Sequence, residues 1–191
     1  MPSFDVGRET EMKKIIGIFI TLIAVVIIFV ALVSKTEAVL PKGNKAPSFK
    51  IRTLEGKELS LADLQKDPAD KSKKKKRVVL LDFWALWCPP CREYVPKLQK
   101  IHEDYRKKGL CVAGVALDSE DTAKVKQFVK EKKLTYIILL DKDREVARLY
   151  QAPPIPLTYL IDRQGVIRYT HLGYYPGIEK DLEKEIKALL K

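Results

Sequence analysis

The chain has 191 residues, 46% of them hydrophobic and 32% charged, with a formal net charge of +11. That length supports one domain of ordinary size with a real core, and three cysteines exclude the disulfide-stapled scaffolds of small secreted proteins. Residues 1–40 carry four Lys/Arg against four Asp/Glu, so the whole positive excess lies in 41–191, as for a domain that meets nucleic acid, an anionic membrane surface or an acidic partner.

In chain order, a tail of residues 1–14 precedes residues 15–33, "IIGIFITLIAVVIIFVALV", a run of 19 without a charge. Such a run matches the ~20 residues that cross a bilayer, exceeds the ~7–15 apolar residues of a cleaved signal peptide, and has no polar face. The expectation is a transmembrane anchor from Ile15 to Val33, with a signal peptide as the alternative. Arg8, Lys13 and Lys14 on one side and Lys35, Lys42 and Lys45 on the other tie the positive-inside count. A short tail before a span and a domain after it gives the expected topology: N-terminus inside, domain on the extracytoplasmic side.

Residues 34–46 read as a linker and 47–191 as the folded domain. Two short strands flank the turn at Gly56, and Ser60 with Asp63 forms a capping box for a short helix. "KSKKKKR" at 71–77 places six cations in seven residues. It reads as a solvated loop rather than a nucleic-acid patch, because no aromatic residue interleaves it for base stacking. "VVLLDFW", 78–84, is the pattern of a strand buried on both faces. Val95, Leu98, Ile101 and Tyr105 recur at helical spacing over 88–108, with Pro96 inside as a kink and Gly109 at the end. A second buried strand (110–117), an amphipathic helix with Val125, Phe128 and Val129 on one side, a third strand (136–140) and a short helix (145–150) follow. Two strands joined by the turn 162–165 and a last helix (177–190) complete the chain. This alternation predicts an α/β domain: a parallel core sheet with helices on both faces and an antiparallel pair at one side.

Cys88 and Cys91 stand three apart, where a buried strand gives way to a helix. A zinc site needs four ligands, and Cys111, His102 and His171 show no ligand pairing that would complete one. Cys111 reads as a small buried hydrophobe within a strand, and each histidine as a surface or satisfied residue. A redox couple fits the placement. The free amide groups and dipole of the helix start stabilise a thiolate at Cys88, Cys91 lies one turn on, and Pro89 and Pro90 take positions where a missing N–H costs little.

"DFWALWCPPC", 82–91, resembles the active-site stretch of the thioredoxin superfamily, with Trp87 before the first cysteine and Asp82 six positions before it. "PPIPLTYLID" resembles that superfamily's cis-proline loop, with Pro156 in the cis position after Ile155. The anchor, the N-terminal hairpin and "LIDRQGVI" resemble the membrane-anchored TlpA/ResA-like thiol–disulfide oxidoreductases, over about residues 44–191. The resemblance implies a thioredoxin-like fold, a central mixed sheet flanked by helices with an N-terminal β-hairpin extension. It also implies a protein-disulfide oxidoreductase with no cofactor beyond the Cys88/Cys91 disulfide, and a transmembrane electron donor as partner. Its substrate would be a protein disulfide; apocytochrome c is the candidate, because the branch includes proteins of cytochrome c maturation. Under it, Cys88 is the nucleophile and Cys91 the resolving thiol. Asp82 moves the Cys91 proton, Pro156 and Ile155 hold the substrate chain, and Trp87 and Pro89 line the site. Two positions depart from the branch: Tyr94 stands where a glutamate is usual, with Glu93 one place earlier, and Asp82 stands where asparagine is frequent. The competing readings are a thiol oxidase or isomerase of the same fold, a peroxidase, and a non-enzymatic anchored binding module. A peroxidase would need a Pro-x-x-x-Thr-x-x-Cys pattern.

Overall fold

The computed structural model describes residues 12–14, 16–25, 39–72, 74–118 and 121–191. The chain divides into two units, Met1–Glu37 and Ala38–Lys191. In the first, 12–14 and 16–25 are helical. The expected span 15–33 lies in part outside the described residues, and among those no helix is long and apolar enough to cross a membrane.

The second unit is built on one seven-stranded sheet. Its strands are β1 (Lys50–Thr53), β2 (Glu58–Ser60), β3 (Val78–Trp84), β4 (Leu110–Ala116), β5 (Ile137–Leu140), β6 (Leu157–Ile161) and β7 (Ile167–Leu172), in the order β2-β1-β5-β4-β3-β6-β7. The helices are α1 (Leu61–Gln65), α2 (Pro89–Tyr105), α3 (Thr122–Glu131), α4 (Glu145–Leu149) and α5 (Ile178–Leu190).

β3, β4 and β5 are parallel, and every residue of β3 and β4 is buried. Strands covered on both faces cannot alternate polar with apolar side chains, which is why both read as unbroken apolar runs. β6 pairs antiparallel with β3 and carries β7 at its outer edge, while β1 pairs antiparallel with β5 and carries β2 at the other. The sheet is therefore mixed, with a hairpin on each side of the parallel core. The expected antiparallel pair takes one edge. The N-terminal hairpin takes the other, a register that rests on a contact between residues 52–53 and 139–140, far apart in sequence.

α2 continues unbroken through Pro96, closes in a 3₁₀ turn over Arg106–Lys108, and ends at Gly109 with φ 102°. A left-handed residue there reverses the chain into β4, which glycine does without a Cβ clash. The Ser60–Asp63 capping box opens α1. Residues 39–46, read as linker, are bound to the domain: Gly43 N–H donates to Ile167, Ile167 N–H to Asn44 and Ala46 N–H to Gly165.

The consequence for function is polarity. β3, β4 and β5 end on one edge of the sheet and start on the other. Cys88 follows β3 and Ile155–Pro156 precede β6, whose Leu157 lies beside Phe83, so both meet at the edge where the parallel strands end. That edge is where open α/β sheets place their sites.

Candidate active site

Cys88 is the N-cap of α2, with an extended backbone and Pro89 and Pro90 in the first two helical positions. Its sulfur is bonded to that of Cys91, the two Cα atoms lying 5.3 Å apart. The Cys91 N–H donates to Cys88 Sγ at 3.3 Å. Pro89 and Pro90 have no N–H to add, so the free amides of this helix start offer the sulfur one donor. Cys88 is 4% exposed and Cys91 fully buried, which makes Cys88 the sulfur nearer to solvent.

The strand-to-helix turn before Cys88 is fixed from outside. The Asp118 carboxylate, just past β4, accepts the Leu86 N–H at 2.5 Å and also the Trp87 N–H. Trp87 consequently stands out, 58% exposed, beside the disulfide in sequence. Across the site the Ile155–Pro156 peptide is cis, as are Ala152–Pro153 and Pro153–Pro154. The Ile155 carbonyl oxygen lies 3.9 Å from Cys88 Sγ, and the Pro156 carbonyl accepts the Gly173 N–H at 2.8 Å. The structure thus brings Cys88, Cys91, Ile155 and Pro156 to one place, with Pro89 exposed on the first turn of α2.

Asp82 is fully buried in β3. Its Oδ1 accepts from the Thr158 hydroxyl at 2.8 Å, while Oδ2 has no partner among the described residues. Burial pushes its carboxyl up to about 8, and the Thr158 hydrogen bond only partly opposes this. The Tyr94 and Thr158 hydroxyls are 3.1 Å apart. Thr158 has one proton and gives it to Asp82, so Tyr94 donates to Thr158. Tyr94, Thr158 and Asp82 form one directed line from α2 through β6 to β3. Tyr94 is held far above the usual phenol range, first by burial and then by the Asp82 charge.

Gly114, the partner of Asp82 in β4, lies under Trp84 and Tyr136. A Cβ there would meet Trp84 Nε1 at 2.9 Å and Tyr136 Cε2 at 3.2 Å. Trp84 Nε1, like Asp82 Oδ2, is buried without a partner among the described residues. Sequence reading singled out Asp82 but gave no role to Thr158, Tyr94 or Gly114. Their part arises from sheet register, Asp82 opposite Thr158 on one side and Gly114 on the other. The one available signal was Tyr94, in the position where the resembling branch carries a glutamate.

Glu93 is exposed on the first turns of α2. Cys111 is buried in β4, its thiol pushed up to about 11 by desolvation. His171 pairs with Glu185 at 2.7 Å between β7 and α5, and His102 is partly buried with its pKa lowered, mainly by desolvation. No cluster of metal-ligating side chains occurs among the described residues.

A CxxC at the start of a helix, a cis-proline loop against it and a buried acid in the preceding strand, all on a mixed sheet between helices, define a thiol–disulfide oxidoreductase of the thioredoxin type. Known proteins agree with this. The chain belongs to the AhpC/TSA family, which it matches over residues 42–170. It is 36% identical over 154 residues to the thioredoxin-like protein YneN of Bacillus subtilis, covering 80% of this chain and 83% of that one. It is 34% identical over 126 residues to the thiol-disulfide oxidoreductase ResA of Bacillus cereus, covering 65% of this chain and 66% of that one. A solved structure from Chlorobium tepidum, assigned as a thiol:disulfide interchange protein DsbE, superposes with a TM-score of 0.69 at 33% identity, covering 80% of this chain and 99% of that one. The chain is a TlpA/ResA-like member of the thioredoxin superfamily and a protein-disulfide oxidoreductase.

Proposed function

We propose that this oxidoreductase is anchored by residues 15–33, carries its catalytic domain, residues 47–191, on the extracytoplasmic side of the cytoplasmic membrane, and reduces protein disulfides there. The uncharged run supports the anchor. So does the helix 16–25, where Ile16, Ile18, Phe19, Ile20, Leu22, Ile23 and Val25 are all more than half exposed, an apolar surface suited to lipid. The observation that carries the direction of electron flow is the pair of prolines after Cys88. A strong oxidant stabilises its thiolate with several donors, whereas Cys91 N–H is the one helix-start amide that reaches Cys88 Sγ.

In the reduced protein, Cys88 thiolate attacks one sulfur of a substrate disulfide, and the other sulfur leaves as a thiolate that takes up a proton. Asp82 accepts the proton of the Cys91 thiol. Cys91 thiolate then attacks Cys88 Sγ, re-forms the Cys88–Cys91 disulfide and releases the second substrate sulfur as a thiolate, which is protonated in turn. Two electrons pass to the substrate. Ile155 pairs its backbone with the substrate chain as an added strand, Pro156 holds that edge, and Trp87 and Pro89 form the apolar wall. The dithiol must be regenerated, so a transmembrane thiol electron carrier is the partner that supplies electrons. Apocytochrome c is the candidate substrate.

Peroxide chemistry is disfavoured despite the family. The positions three and seven before Cys88 are Ala85 and Leu81, not the Thr and Pro of the peroxidase pattern. Redox titration of the oxidised protein against a dithiol buffer tests the direction. A potential near that of thioredoxin, about −270 mV, supports a reductant, and one near about −120 mV overturns it.

A further inference from the structure

The basic run has no part in the chemistry above, and its position in the fold gives it another. It precedes β3, at the edge where the parallel strands start, while Cys88 follows β3 at the other. Seven residues of strand, at ~3.3 Å each, put about 20 Å between the two. Residues 66–77 contain seven cations and two carboxylates. Asp67 pairs with Lys75 at 3.6 Å, and Asp70 is taken up by Ser72 and the Lys75 N–H. Lys71, Lys74 and Lys76 are exposed.

Other cations converge on this edge. α2 ends there in Arg106, Lys107 and Lys108, all exposed. α3 ends there, with Lys130, Lys132 and Lys133 exposed around its last turn. Helix carbonyl ends attract cations by themselves, which accounts for these two clusters singly. It does not account for 71–77, which caps no helix. At the disulfide edge the loops after β4 and β5 carry Asp118, Asp121, Asp141 and Asp143 against Lys142 and Arg144, with Glu145 opening α4.

The chain also enters the domain at the basic edge. Lys45 Nζ donates to Gln164, and Gly43 and Ala46 are bonded at the β6–β7 turn, which Gln65 Nε2 ties to the base of the basic loop by donating to Asp162.

We propose that this basic edge, centred on Lys71, Lys74, Lys75 and Lys76, is a docking surface for anionic phospholipid headgroups. The membrane to which residues 15–33 would tether the domain is its partner, and this orientation rests on that anchored reading. Docked in this way, the acidic edge and Cys88 point away from the lipid, toward protein substrates. Attraction of a basic segment to an anionic surface falls away within a Debye length, so the loop must lie against the headgroups to act.

The test is hydrogen exchange on the full chain in nanodiscs of phosphatidylcholine alone and of phosphatidylcholine with phosphatidylglycerol. The expected result is protection of peptides covering 66–77 and 106–109 in the anionic discs, reversed by 0.5 M salt, with 85–91 unchanged. Replacing Lys71, Lys74, Lys75 and Lys76 with serine should abolish that protection, and arginine at the same four positions should keep it. In a chain not held by residues 15–33, cosedimentation with phosphatidylglycerol vesicles at low salt should weaken roughly fivefold per lysine removed. Equal exchange in both discs, or protection that survives in the serine variant, overturns the proposal. So does a DNA duplex that protects the same peptides at a lower phosphate concentration than the lipid. The anchored reading fails separately, if the chain washes off phosphatidylcholine discs at 0.5 M salt; vesicle cosedimentation still decides the basic edge in that event.

Discussion

Replacing Asp82 with asparagine should stabilise the protein, increasingly so as pH rises. The substitution keeps the shape and the Thr158 hydrogen bond to Oδ1. The protonated acid and the amide each place an N–H or O–H donor at the unpartnered Oδ2 position, so at low pH the two proteins should have nearly the same stability. The difference comes from ionisation. The Asp82 carboxyl stands at about 8 in the folded chain against an ordinary value of 3.8 for a solvated aspartate. Its folded pKa is raised, so its share of stability is complete below about pH 4 and is lost as pH rises toward 8. Each pH unit in that window costs about 1.4 kcal/mol, which makes the variant more stable by about 4 kcal/mol at pH 7 as an upper figure. The assay is guanidinium denaturation of the oxidised proteins from pH 4 to 9. The midpoints should coincide near pH 4, separate steadily and stay parallel above pH 8 to 9. A separation independent of pH would refute the buried, protonated acid. In the reduced enzymes the same variant should slow disulfide exchange at neutral pH by on the order of 10²-fold, the loss of one general base, with the defect shrinking as Cys91 ionises unaided at higher pH. Glu93→Gln should leave that profile unchanged.

Tyr94→Phe removes the donor to Thr158 and weakens the hydroxyl that supports ionised Asp82, so the alkaline shift in rate and stability should move to higher pH; an unchanged profile would reduce Tyr94 to packing. Gly114→Ala drives a methyl into Trp84 and Tyr136 and should destabilise by about 1–3 kcal/mol, seen as a lower denaturation midpoint with the same slope. Cys111, buried with its thiol pushed up to about 11, should resist thiol reagents in the native reduced protein while Cys88 reacts, and fast labelling of Cys111 would contradict its place in β4. Reporter fusions after Lys191 should be active only when the reporter works outside the cytoplasm, and activity of a cytoplasm-only reporter would reverse the proposed topology.

The legible parts of the chain were those governed by local rules. β3 and β4 announced themselves as apolar runs, α2 by its spacing, and the Ser60–Asp63 cap by residue type. Cys88 and Cys91 were legible because a dithiol at a strand-to-helix junction has few other uses. Register was not legible. Nothing in "LTYLI" says that Thr158 faces Asp82, since that depends on β6 pairing antiparallel with β3 across more than seventy residues. The edge taken by β1 and β2, and the docking of residues 39–46 on the β6–β7 hairpin, depend on equally distant partners. Asp82 was visible as a carboxylate in an apolar strand. That its second oxygen has no partner among the described residues is a property of the packed site.

The central claim is that Cys88 and Cys91 act in sequence, the first as nucleophile and the second as resolving thiol. Its most direct test is mass spectrometry of the adduct formed when Cys91→Ser, in the reduced state, meets a disulfide-bonded protein substrate. The account predicts a stable mixed disulfide on Cys88, none on Cys111, and none in Cys88→Ser. A stable adduct on Cys91 in Cys88→Ser, with none on Cys88 in Cys91→Ser, would contradict it.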